Sequence, residues 1–239
     1  MLASLERYLY SAALVEVFAI TCVFFVVIYF FAAGASIVLS RRILPALGIG
    51  EVVDKHAPRK GQIAAEIRHS LVSIAIFGLL TVLQLLAFRA GWIRFQWQAS
   101  GWTILIQAIV LLIWNEVHFY ACHWLLHRKW LFTHVHRVHH ESRVATAFST
   151  YSFHWFEAAM LGSVMLLATL AYPFHPAALI VLPLGSLLFN TIGHWNYDVF
   201  SGRIRSASVE HSRHHRMVGG NFGFYLPFLD HWFKTELPQ

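Results

Sequence analysis

Long uncharged runs decide what this chain can fold into. Val17 to Leu39 spans 23 residues without a charge, and Leu71 to Phe88 and Phe95 to Asn115 follow it. Ala158 to Tyr197 also lacks Asp, Glu, Lys and Arg, and Pro173 and Pro176 break it near the middle. A bilayer core about 30 Å thick takes roughly 20 helical residues, and backbone inside it must bond to itself. The runs have helical length and none alternates as a strand would. The expected fold is all-α: an integral membrane helical bundle of about four to five apolar segments carrying a histidine-rich helical cap. The proline pair should turn the last run into a hairpin of about 158–192. Composition agrees, because 57% of residues are hydrophobic and only 13% charged, which excludes an ordinary soluble domain.

The first run reads as a retained span. It is longer than the apolar part of a signal peptide, no small-residue cleavage site follows it, and Arg41-Arg42 is a stop-transfer flank. Arg41, Arg42, Lys55, Arg59, Lys60 and Arg68 lie between the first two runs, and such a loop prefers the cytoplasm. The histidine region carries Arg128, Lys129, Arg137, Arg143, Arg203, Arg205, Arg213 and Arg216, so the same side is expected for it. The loop of residues 89–102 has two arginines among Trp92, Trp97 and Trp102, which suits the opposite interface. The net charge of +6 then belongs to loops facing anionic headgroups, and no basic face stands apart to bind nucleic acid. Cys22 and Cys122 both lie in apolar helical stretches and read as free thiols. The chain is expected to be one membrane-embedded domain over 1–239, with about 1–100 as anchor and about 101–239 as catalytic region.

The chemistry lies in the histidines. His123-x3-His127, His136-x2-His139-His140 and His211-x2-His214-His215 form three clusters, and His194 lies between the last two. Histidines at i, i+3 and i+4 share a helix face, so each cluster is expected to aim its imidazoles at one point. Neutral imidazole is the commonest nitrogen ligand of first-row metals, and nine exceed what one tetrahedral ion needs. Glu116, Tyr120, His123 and His127 form one stripe on the third span. An acid inside an apolar span is costly unless partnered, so Glu116 is expected to orient a ligand imidazole. Asp198, one turn after His194, is expected either to ligate metal or to orient that histidine. His154 reads as packing or as a partner of Glu157. His56, His69, His118, His134, His175 and His231 read as solvated or interfacial. Tyr151, Tyr197 and Tyr225 are candidates to line a substrate path.

From Asn115 onward the chain resembles the fatty acid hydroxylase and sterol desaturase superfamily of integral-membrane histidine-box enzymes. Glu116 to His127 is similar to its first box, with Trp124 in place of an arginine. His136-Arg-Val-His139-His140-Glu141 matches the second, and Phe153-His154-Trp-Phe-Glu157 resembles the element that follows it, with Trp155 replacing proline. His194-Trp-Asn-Tyr197-Asp198 is similar to an H-x-G-Y-D element, and His211-Ser-Arg-His214-His215 with Asn221-Phe222 matches the third box. Asp230 falls on the acid of a late W-D-x-x-F-G-T element, whose glycine is Lys234 here.

The resemblance implies two non-haem iron ions, O2 as co-substrate and a membrane lipid or sterol as substrate. The implied metal ligands are His123, His127, His136, His139, His140, His194, His211, His214 and His215. Zinc could replace iron in the same imidazoles but has no redox chemistry. Because the chain has no haem segment, GxGxxG or flavin motif, electrons must come from a separate donor of the cytochrome b5, ferredoxin or reductase type. Hydroxylation of an unactivated C–H bond is the favoured reaction; sterol or carotenoid desaturation and methyl oxidation are the nearest alternatives. A metal transporter would place its ligands near the bilayer midplane, and a metallohydrolase would more often show HExxH. The expected location is the bacterial inner membrane or endoplasmic reticulum, with the histidines facing the cytoplasm.

Overall fold

The computed structural model describes residues 2–202, 206–224 and 226–238, so Arg203, Arg205 and Tyr225 lie outside the described residues. A short α1 (Leu2–Ser11) precedes α2 (Leu14–Val38), which continues through a π-helical stretch, Leu39–Ile43, into α3 (Leu44–Ala46). Next come α4 (Gln62–Arg89) and α5 (Gly101–Leu126). The α6 turn (Lys129–Leu131), a π-turn at Phe132–His136 and α7 (Arg137–His140) carry the second histidine cluster. After a 3-10 turn at Ala147–Tyr151, α8 (Trp155–Ala171) and α9 (Pro176–His194) form the hairpin, followed by α10 (Ala207–Met217) and α11 (Phe228–Phe233). Among the described residues, four helices are long and apolar enough to cross a membrane: Leu14–Ala46, Gln62–Arg89, Gly101–Leu126 and Pro176–His194.

These helices are apolar all round, as lipid on one side and protein on the other require. On α2, Val23, Val27 and Phe31 repeat every four residues on the outward face, whereas Tyr29 and Ala33 are buried. Inside, α5, α8 and α9 pack Leu111, Val164, Ala168, Leu179 and Leu182 into one core. A second core joins α2, α4, the 3-10 turn and α8 through Tyr29, Ile74, Tyr151 and Ala158. Polar side chains bridge the helices: Trp114 Nε1 donates to the Val164 carbonyl at 2.9 Å, and Gln84 Nε2 donates to Thr169 Oγ1 at 3.2 Å.

The third span, expected over about 101–127 within a longer apolar run that opens at Phe95, is α5. Ser100 Oγ accepts from the Thr103 amide and caps α5, while the Gln96 amide donates to the Phe174 carbonyl of the hairpin turn. Both hairpin helices start on a histidine: His154 Nδ1 accepts from the Phe156 amide, and His175 Nδ1 from that of Ala177. His154 is thus a helix cap. His118 and His175, expected at the surface, are buried.

The loop after α3 is tied to the histidine end of the molecule. Its β1 (Glu51–Val52) pairs antiparallel with β2 (Tyr197–Asp198), in the register Glu51 to Asp198 and Val52 to Tyr197. Tyr197 donates its hydroxyl to the Ile49 carbonyl at 2.6 Å. Buried Glu66 accepts from Gln62 Nε2 at 2.8 Å and from Thr146 Oγ1 at 2.5 Å, fastening α4 to the segment after α7.

Helix α11 ends on Lys234 with φ of 56°, where the resembled family has glycine. A left-handed residue with a Cβ is strained by roughly 1–2 kcal/mol, partly offset by the chain entropy that glycine loses. Lys234→Gly should therefore stabilise the protein by about 0.5–1 kcal/mol, read as a higher unfolding temperature in detergent.

Candidate metal centre

The nine box imidazoles converge, and they do so in two groups. His123, His127, His136, His140 and His214 form one; His139, His194, His211 and His215 form the other. Within each group the candidate ligand atoms all lie within 4.8 Å of one another. Each HxxHH cluster is therefore divided between the groups, where a single target had been expected. The cause is helical pitch, since i and i+4 differ by only about 40° around the axis while i+3 lies about 100° from i+4. His136 with His140, and His211 with His215, are the i, i+4 pairs, and His139 and His214 cross over to the opposite group.

The nitrogen geometry fits bound ions. His211 Nε2 lies 2.8 Å from His194 Nε2 and 3.0 Å from His215 Nε2, and His194 Nε2 lies 3.3 Å from His139 Nε2. In the first group His214 Nε2 lies 3.1 Å from His140 Nε2. Ligands about 2.1 Å from a common ion and roughly at right angles stand about 3 Å apart. The Nε2 atoms of His123, His127 and His136 are buried without hydrogen-bond partners, as lone pairs kept for a metal would be.

Acceptors behind the rings set their tautomers. Nδ1 of His123 donates to the Phe222 carbonyl at 2.9 Å, that of His214 to Gly220 at 2.7 Å, that of His194 to Asn190 at 2.8 Å and that of His139 to Ser152 at 3.3 Å. A carbonyl can only accept, so Nδ1 carries the hydrogen and Nε2 presents its lone pair. His136 Nδ1 instead meets a carboxylate, Glu157 Oε1, at 2.8 Å, with both side chains buried. Carboxylate partners of this kind raise ligand basicity and hold the ring.

The two acids singled out in the sequence stand elsewhere. Glu116 Oε1 accepts from the Phe224 amide at 3.0 Å, so it holds the loop that offers the Phe222 carbonyl to His123. Glu116 thus acts on an imidazole one step further away than expected, and Glu157 makes the direct contact. Asp198 belongs to neither imidazole group: it accepts from the amides of Phe200 at 3.1 Å and Gly202 at 2.7 Å, closing a turn. The local reason is that His194 already has the Asn190 carbonyl one turn back on its own helix. Asp230 completes the loop, with Oδ1 accepting from the Phe222 amide at 2.8 Å and Oδ2 from that of Gly223 at 2.7 Å. A Cβ on Gly223 would stand 2.7 Å from that same Oδ2, so the close approach needs glycine. Glu157 was visible in the sequence as an acid opening an apolar helix, but its partner lies 21 residues away.

Below the histidines an apolar cavity of about 480 Å³ runs between α2, α4, α5, α8 and α9. Phe119, Phe153, Leu161 and Asn190 line both this cavity and the narrow gap bounded by His123, His136, His139, His194 and His211. Of the aromatic candidates, Tyr151 lines the cavity and Tyr197 does not.

The family model for fatty acid hydroxylase matches residues 108–235. Among curated proteins, the chain is 24% identical over 185 residues to lathosterol oxidase of Rattus norvegicus, covering 72% of this chain and 60% of that protein. It is 25% identical over 199 residues to a Delta(7)-sterol 5(6)-desaturase of Gibberella zeae (76% and 59%). To a very-long-chain aldehyde decarbonylase of Oryza sativa subsp. indica it is 28% identical over 171 residues (66% and 62%). The chain thus matches about 60% of the length of these relatives. No solved structure matches it.

Burial, and then neighbouring imidazoles, holds the clustered histidines neutral. His214 is pushed down to about 4 by burial alone, and His127 to about 3 by burial and then by His214. His136, His139, His211 and His215 are lowered well below the ordinary value for the same reasons. In an unfolded chain these groups take protons near pH 6.5, so lowering the pH favours unfolding. Chelator-stripped protein should keep its stability above about pH 6.5 and lose about 1.4 kcal/mol per pH unit for each such imidazole below it. Unfolding temperatures in detergent between pH 8 and pH 5 would show the fall, and a flat profile would contradict it.

Proposed function

Because this chain belongs to the fatty acid hydroxylase family, we propose that it is a membrane-bound oxygenase that hydroxylates an unactivated C–H bond of a lipid. One observation carries the reading: two adjoining groups of neutral imidazoles stand at the end of an apolar cavity among membrane-length helices. All-imidazole sets with room for two ions suit iron better than structural zinc, which closes on four ligands. Two bound iron ions would supply the redox chemistry that activates O2. The nine histidines would hold them, five in one group and four in the other.

The protein's own part is to hold and to exclude. The Nδ1 acceptors of His123, His136, His139, His194 and His214 fix those five rings with the lone pair forward, which reduces the reorganisation needed when metal binds. Phe119, Phe153 and Leu161 keep water from the junction of cavity and centre and hold an apolar segment of substrate there. Electrons would come from a separate donor reaching the centre from the aqueous side. Basic Arg59 lies 3.8 Å from Glu141 beside the second cluster, and β1 pairs with β2. The first loop and the histidines therefore share one end of the molecule, and the excess of Lys and Arg there supports a cytoplasmic orientation. The chain is proposed to act as one membrane-embedded domain, its first hundred residues serving as anchor.

Two of the relatives are named for sterol oxidation or desaturation, which favours desaturation as the second reading. Lipid analysis of expressing cells grown under 18O2 separates the two. Hydroxylation gives a lipid carrying one 18O atom, whereas desaturation gives a lipid two hydrogens lighter with no label. Neither product, from protein that holds iron, would overturn the oxygenase reading.

Protein purified from iron-replete cells should approach two iron ions per chain, by metal analysis. His139→Ala, which removes one of the four imidazoles of the second group, should drop the count toward one and abolish product. A count of one in the parent protein, unchanged by this substitution, would contradict a two-ion centre.

Labelling of single cysteines in intact cells, in a background without Cys22 and Cys122, tests orientation. A cysteine replacing Gln96 should react with an impermeant reagent from outside, and one replacing Pro58 should not. The reverse pattern would place the histidines outside the cytoplasm.

A further inference from the structure

Among the described residues that line the apolar cavity, Asn115 of α5 carries a fully buried side-chain nitrogen, Nδ2, without a hydrogen-bond partner. Four other polar side chains of the wall are satisfied: Gln84 donates to Thr169, Thr81 to the Phe77 carbonyl, Asn190 to the Thr150 carbonyl, and His118 pairs with Ser163. A buried amide left unpaired costs about 1–3 kcal/mol, and asparagine is also a poor residue for a helix interior. A polar residue kept in a membrane span at such cost is by default a candidate for function.

We propose that Asn115 is a specificity-determining residue that donates a hydrogen bond to an uncharged oxygen of the lipid substrate. This rests on the cavity being the substrate site of the proposed oxygenase. Among the described residues no Lys or Arg lines the cavity, so a phosphate or an ionised carboxylate meets no counter-charge from them. A hydroxyl, carbonyl or ether oxygen fits, because it accepts one hydrogen bond and brings no charge to bury. Asn115 precedes His123 by eight residues on the same helix, a separation of about 12 Å at 1.5 Å per residue. The substrate class is therefore a lipid whose reacting carbon and neutral oxygen are separated by roughly that distance. His118, one turn further along and on the same wall, brings a second polar atom near that oxygen.

Two matched pairs of probes test this: cholestanol against cholestane, and 1-octadecanol against octadecane. Each is titrated into the full-length protein in detergent micelles and followed by tryptophan fluorescence. The parent protein should bind the oxygenated member of at least one pair about five- to tenfold more tightly, which is the size of one net hydrogen bond. The pair showing the preference identifies a ring or a chain substrate. Asn115→Leu should bind both members equally, with iron content unchanged and an unfolding temperature at or above the parent's, since the unpaired amide is removed. If that variant does not accumulate, Asn115→Ala carries the same expectation without adding bulk. The proposal is overturned if neither pair is discriminated by the parent protein, or if the preference survives in the variant. Iron content is read separately: iron-loaded protein without the preference sinks the Asn115 assignment alone. Protein that discriminates the probes but takes up no iron supports that assignment and contradicts the oxygenase reading.

Discussion

Nine imidazoles packed edge to edge can coexist only if they stay uncharged, and the rest of the structure serves that condition. Ring centroids in the two groups stand as close as 4.2 Å for His194 and His211 and 4.5 Å for His123 and His214. Protonating one would set a buried charge against several neighbours in a low-dielectric space. Neutral rings still need a donor and an acceptor defined on each. The fold supplies a carbonyl or carboxylate behind many of them and leaves the lone pairs facing one another. That arrangement is unfavourable without a cation between them, and a bound metal would relieve it and so couple its binding to local folding.

This explains the effort spent on loops that carry no ligand. Residues 218–224 supply the carbonyls behind His123 and His214. Asp230 holds two of their amides, Glu116 a third, and Asn221 is held by Glu210 and the Leu237 amide. Burial raises the Asp230 carboxyl while the three bonds it accepts pull it down, which is the balance expected of a carboxylate used as a backbone template. The Asn-Phe pair trailing the third cluster thus has a physical job: its backbone sets a tautomer on a helix 99 residues earlier.

The fold and the nine imidazoles that converge were legible in the sequence because both are periodic. Uncharged runs of bilayer length have few alternatives, and a proline pair inside one of them turns the chain at Tyr172–His175, where α8 gives way to α9. Histidines at i, i+3 and i+4 announce a shared helix side without needing a structure. What surrounds the ligands was not legible. Every residue has a carbonyl, so nothing marks those of Ser152, Asn190, Gly220 and Phe222 as acceptors. Glu116 and Asp198 drew attention by proximity in sequence to histidines, yet Glu157, in contact with His136, belongs to a different helix. His118 and His175 looked like surface residues because burial depends on which helices pack around them.

The division of each HxxHH cluster between the two groups shapes the whole centre. Helix α5 brings His123 and His127 to one group, and α9 brings His194 to the other. The α7 segment and α10 each send residues to both. The two spans pack against each other and each serves one group, while the two short segments contribute to both, so a shift of either segment alters both groups at once. The same geometry sets the apolar cavity against both groups. The cavity wall includes Asn115 and Phe119 from α5 and Leu182, Ser186 and Asn190 from α9. The cavity between those spans thus reaches the seam of the centre, where the narrow gap touches His123 and His136 of one group and His139, His194 and His211 of the other, on the side away from the acceptors behind the rings.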